Sequence, residues 1–120
     1  MRFLLATAAL LVLAGCTVTS IDPAKMTPAE FEARPDYMMI VPSVPKGVKV
    51  IGPVKADLCR KTKQDPVFSK EDVFRALKRE AARQGATALA EVNSTWVDSG
   101  TRRCLEEGTA SGIAFVRVPH

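Results

Sequence analysis

The chain of 120 residues contains one histidine, and it is the last residue, His120. Chain ends are seldom ordered, so no Ser/His/Asp or Cys/His arrangement can be built around it. Cysteine is scarce as well, with three in all. No two are spaced Cys-x-x-Cys, which removes a thioredoxin-like redox motif. Two separated cysteines without histidines do not make a zinc site. Paired carboxylates occur by chance in any chain of this size and carry no assignment. There is no apolar run of the ~20 residues that a membrane-spanning helix needs; the longest, "FLLATAALLVLAG", covers Phe3 to Gly15. Internal repeats and low-complexity tracts are missing too. The expectation is therefore a protein that is not an enzyme and has no cofactor and no metal site.

What is present begins at that short apolar run. Arg2 precedes it and small residues close it, the pattern of a secretory signal with an n-region and an h-region. Leu13-Ala14-Gly15-Cys16 resembles the lipobox of bacterial lipoproteins. That resemblance implies removal of residues 1–15, with Cys16 as a lipidated N-terminus anchored by several acyl chains, since one chain binds only marginally. Thr17, where an Asp would favour inner-membrane retention, then points to the outer membrane, with the domain on its periplasmic face. Lipidation of Cys16 leaves Cys59 and Cys104. An oxidising compartment makes a bridge between them the expected state; the alternative is two free, buried thiols. Loss of Arg2 leaves a net charge of +3. That mild excess is compatible with anionic surfaces and, in an exported protein, does not call for a nucleic-acid partner.

Residues 16–47 read as a lipidated N-terminus and tether, because Pro23, Pro28, Pro35, Pro42 and Pro45 remove backbone donors and fix φ. Thr27-Pro28-Ala29-Glu30 predicts one short helix, with a cap, a proline at the first helical position and a Glu three residues after the cap. "YMMIV", Tyr37 to Val41, is expected to lie on the domain, add an edge strand or meet a partner. The folded body is expected over 48–120. Val48, Val50, Val54, Ala56 and Leu58 alternate with polar residues as in a half-buried strand, with Gly52-Pro53 as a bulge or edge feature. Ser69 opens a helix with an apolar stripe of Val73, Phe74, Leu77 and Ala81, stopped at Gly85. Strands follow over 86–97 and 110–118. The order strand-helix-strand-strand predicts an α+β domain: about three strands, one helix packed on a face, stapled by one disulfide. So small a core calls for a staple.

The two cysteines, the helix ending "LKREAARQGATAL" and the small-residue strand "GTASGIAFV" resemble the RcsF-like envelope lipoproteins and, more loosely, the YbjQ-like fold. The resemblance runs from about Val48 to Val118 and includes the lipobox and a proline-containing tether. It implies an outer-membrane sensor that reports envelope stress through an inner-membrane regulator and engages outer-membrane proteins. The family's domain carries two disulfides. Here Cys59 and Cys104 match one of them, and the second has no counterpart.

Arg60, Lys61 and Lys63 follow Cys59, and Arg102 and Arg103 precede Cys104. A bridge would gather them into one basic patch, either a partner-binding surface for an acidic protein or lipid head groups or a solvated loop end. Arg75, Arg79 and Arg83 read as a plain outer helix face, with Glu71 and Glu80 offsetting Arg75 and Arg83. Trp96 reads as a core or sheet-face residue. Both parities of the later strands are apolar, so the sheet face away from the helix is expected to be covered by the tether, "YMMIV" or a second copy. Two functional classes stand: a sensor acting by contact with envelope proteins, and an assembly or structural accessory of the outer membrane.

Overall fold

The computed structural model describes residues 22–97 and 103–117; residues 1–15 and Cys16 lie outside them, as do Arg102 and His120. The elements are a 3-10 turn at Pro23–Lys25, α1 at Pro28–Ala33, a second 3-10 turn at Pro35–Tyr37, β1 at Met39–Val41, β2 at Lys49–Arg60, α2 at Lys70–Arg83, β3 at Ala88–Val97 and β4 at Glu106–Val116. The strands form one mixed sheet in the order β1-β3-β4-β2. β4 lies between β3 and β2 and is antiparallel to both, while β1 runs parallel to β3. The domain is thus α+β, with four strands rather than about three.

Helix α2 forms where its cap and apolar spacing agree. The Ser69 hydroxyl accepts from the Asp72 N–H at 3.3 Å, and the Asp72 carboxylate accepts from the Ser69 N–H at 2.8 Å, closing a capping box. Val73, Leu77, Ala81 and Ala82 are buried, while Phe74 is half-buried at the edge of the stripe. The helix ends in a Schellman motif: Ala86 N–H donates to Ala81 O and Gly85 N–H to Ala82 O, with Gly85 at φ 94°.

Under the helix the sheet is lined by small residues. Alternate positions of β4, Ala110 and Ala114 among them, face Leu77 and Ala81 and lie on the same side of the sheet as Val54 of β2. Gly108 is the tightest point: a Cβ there would sit 2.6 Å from Val73 Cγ2 and 3.1 Å from the Trp96 ring. Trp96 lies on this helix face and tilts against Phe68 with ring centroids 5.0 Å apart. In β2 the register shifts between Val50 and Gly52, the bulge expected at Gly52-Pro53.

The largest departure from the sequence reading is the segment expected to be a tether. From Asp22 onward it is folded onto the domain. Met26, Phe31 and Met38 belong to the main core with the α2 residues, and Phe31 is fully buried. The prolines mark element starts: Pro28 opens α1 behind the Thr27–Glu30 capping box, and Pro35 opens the second turn. Each buried side chain of this size is worth about 1.5–3 kcal/mol relative to exposure, which outweighs the weak helix propensity of a six-residue element. "YMMIV" supplies β1, the fourth strand, which pairs Met39, Ile40 and Val41 with Ala88, Leu89 and Ala90. Beyond it, Val41, Val44 and Val48 cover a second small core of Ala88, Ala90 and Phe115. Among the described residues, the face away from α2 is therefore covered at one end only. At the other end Lys55, Asp57, Asn93, Thr95 and Ser111 are polar or charged and, apart from the partly shielded strand ends, exposed.

Candidate functional site

The sheet has two poles. β2 and β3 end at one of them, where β4 begins: Arg60 pairs with Glu106 and Val97 with Glu107. Here Cys59 and Cys104 are bridged, with an S–S length of 2.11 Å and Cα atoms 5.4 Å apart. Cys104 is buried while Cys59 is exposed. The bridge closes a separation of 45 residues, for which chain entropy gives ~4 kcal/mol of stabilisation.

The loop after β2 is held by Asp65. Its carboxylate accepts from the Lys61 N–H at 2.9 Å and the Thr62 N–H at 3.0 Å. Those donors, Thr62 first, hold the Asp65 carboxyl below its ordinary value. Arg60 completes the loop from within. Its Nε donates to Asp65 O at 3.1 Å and Nη2 to Lys63 O at 3.0 Å, and Nη1 lies 3.4 Å from Glu106 Oε1. With its side chain 17% exposed, Arg60 organises the loop rather than presenting charge. Of the cations expected in the patch, Arg60 is therefore turned inward. Lys61 and Arg103 line a common concavity, Lys63 is exposed outside that lining, and Arg102 lies outside the described residues.

The concavity, about 660 Å³, runs over the polar sheet face at the disulfide. Lys55, Lys61 and Arg103 supply cations, Asp57 and Glu107 carboxylates, and Thr109 a hydroxyl that donates to Asp57 Oδ1 at 2.8 Å. Sequence reasoning missed Lys55, Asp57 and Glu107. The signal for the first two was there, because positions 55, 57 and 59 of a strand share a face. The site offers charge of both signs, a hydroxyl and a sealed disulfide; it is suited to docking polar groups. Among the described residues no group of three or more His, Cys, Asp or Glu is placed to hold a metal ion.

The second cationic feature is the α2 arginine row. Arg75 meets Asp36 at 3.1 Å and Asp72 at 2.9 Å; Arg83 meets Glu32 at 3.0 Å and Glu80 at 3.2 Å. Glu80 is the partner anticipated for Arg83, but Asp72 takes the place expected for Glu71. The row is not a plain outer face: two of its arginines tie α2 to the N-terminal segment, and hydrogen bonds to Asp36 and Glu32 push both guanidinium pKa values further up.

No helix among the described residues is long and apolar enough to cross a membrane. No protein-family model matches the chain, and no curated protein matches it.

Proposed function

We propose that the protein is an outer-membrane lipoprotein, anchored at Cys16, that works by protein contact through the disulfide pole of its domain. The observation that carries this reading is the Cys59–Cys104 bridge. It accounts for two of three cysteines and leaves to Leu13-Ala14-Gly15-Cys16 the one that a lipobox would modify. The site itself favours contact over chemistry, since its ionisable groups surround a sealed disulfide.

The folded N-terminal segment favours an accessory acting near its own membrane over an RcsF-like stress sensor that reaches an inner-membrane regulator. The described fold starts at Asp22, so residues 16–21 are all the chain available between a Cys16 anchor and it, which bounds their separation at about 20 Å. The same segment sets the orientation. Pro23 to Met26 lie beside Thr87, Val116 and Arg117, at the pole opposite the disulfide. β4 runs between the poles over 11 residues, or about 33 Å. The anchor would thus draw the Thr87–Arg117 pole to the lipid and turn Lys55, Lys61 and Arg103 away from it, towards a protein partner.

The test is palmitate labelling and membrane fractionation of native protein against Cys16→Ser, followed by crosslinking in intact envelopes. The reading expects label and membrane association lost in Cys16→Ser. It also expects an outer-membrane partner whose crosslink is lost when Lys55, Lys61 and Arg103 are replaced by Ala. An unlabelled native protein sinks the anchor. An inner-membrane partner restores the sensor.

A further inference from the structure

The two edges of the sheet are treated differently. β2, one edge, carries the devices that discourage strand pairing: Pro53, a bulge after Val50, and the charges of Lys49, Lys55 and Asp57. The other edge is shared. β1 covers Ala88 to Ala90 of β3 and stops, because Pro42 follows Val41 and β3 is broken by a register shift at Glu91, whose φ is 53°. Past that break, "VNSTWV", Val92 to Val97, has β4 on one side and no strand on the other among the described residues. It carries no charge, no proline and no glycine. A neutral, β-prone, unpaired edge in a sheet whose opposite edge is guarded is a template for strand addition.

We propose that a second copy of this chain occupies that edge, the two β3 strands pairing antiparallel about a two-fold axis at Ser94. Three observations select a second copy. First, the edge is neutral, so two copies bring no like charges together, which the lysines of β2 would. Second, the pleat restricts the register. Val92, Ser94 and Trp96 share the helix face, and residues directly opposite in an antiparallel pair share a face. An axis at Ser94 sets Val92 against the partner's Trp96 and Asn93 against the partner's Thr95, so apolar meets apolar and polar meets polar. Third, the ends fit. The step where β1 stops is a notch of about 480 Å³ lined by Ile40, Val41, Pro42 and Val92 with Glu91 and Asn93. At the far end of the same edge Val97 is 38% exposed. The Ser94 axis brings each copy's Val97 opposite Glu91, at the other copy's notch. The patch is self-complementary, as a two-fold interface requires.

The experiment uses the full chain, extracted from membranes in detergent. Sedimentation of the native protein is expected to give twice the protomer mass, and Asn93→Lys with Thr95→Lys the protomer mass, because four lysines then face one another. Circular dichroism checks that the double variant keeps its fold. Ser94→Cys is expected to yield a reducible dimer under oxidation, because equivalent Cβ atoms at the axis lie within bridging distance; Lys55→Cys on the guarded edge is expected to yield none. A native protein that sediments at protomer mass overturns the proposal. So does a dimer that survives the double lysine variant, or equal crosslinking of Ser94→Cys and Lys55→Cys.

Discussion

The two poles of the sheet are closed by different chemistry. At the pole where β4 begins, closure is covalent and polar: one disulfide, the Asp65 turn and the inward guanidinium of Arg60. At the other, apolar side chains from a segment distant in sequence are packed against α2 and the sheet, Phe31, Met26 and Met38 among them, with Phe115 beneath Val41, Val44 and Val48. The contrast shows two routes to one end. A loop too polar to bury much is restrained through its unfolded state, whereas a short proline-rich segment is held by burial in the folded one.

The comparison can be broken most severely at the apolar pole. Phe31→Ala removes a fully buried ring and is expected to cost about 3–5 kcal/mol, measured by urea unfolding. Loss of protection in amide exchange should begin at residues 22–41. A cost below ~1 kcal/mol would mean that the segment is a loose strap. Next comes the covalent pole. Cys59→Ser with Cys104→Ser is expected to cost ~4 kcal/mol on the chain-entropy estimate and to raise exchange in the 61–69 loop while 22–41 stays protected. Equal loosening at both poles would show one cooperative unit.

Between the poles, Gly108→Ala tests how closely α2 approaches β4. With Val73 Cγ2 at 2.6 Å from the added carbon, overpacking is expected to cost about 1–3 kcal/mol, and Val73→Ala in the same chain should recover part of it. A neutral Gly108→Ala would show that the helix rides higher over the sheet. The smallest effect is acid sensitivity. Asp65 and Asp72 both sit on the disulfide side, one in the loop and one in the first turn of α2, and both are held below 3.8 chiefly by backbone N–H donors. A depressed carboxyl stabilises the fold above its unfolded value and loses that contribution as pH falls through its folded value. Amides of Lys61, Thr62 and Ser69 should therefore lose protection below about pH 4, before those of the apolar pole. The reverse order would remove Asp65 and Asp72 from the account.

Much of the fold was legible. Helix α2 combined cap, stripe and stop in one window, and β2 showed its period of two around a glycine-proline bulge. Even α1 was marked by its capping box. The bridge followed from cysteine parity once Cys16 was set aside. What was not legible depended on partners far along the chain. Phe31 and Met38 fall in elements too short to display a period, so their burial has no local signature. Arg60 looked like its neighbour Lys61, and only the positions of Asp65 and Glu106 turned it inward. Lys55 joined the disulfide concavity through strand alternation, a signal present in the sequence but without a site to attach it to.

The sequence by itself determined the spacing of the main helix and long strands, the cysteines available to pair, and an α+β order around one small core. These rest on local periodicity and chemistry, which a chain carries wherever it goes. Only the tertiary structure decided that residues 22–41 belong to that core, that the arginine row of α2 binds Asp36 and Glu32, and that, among the described residues, one edge of the sheet is guarded while part of the other has no neighbouring strand. Those outcomes depend on which distant residues come into contact, and burial and strand pairing acquire their energies only when they do.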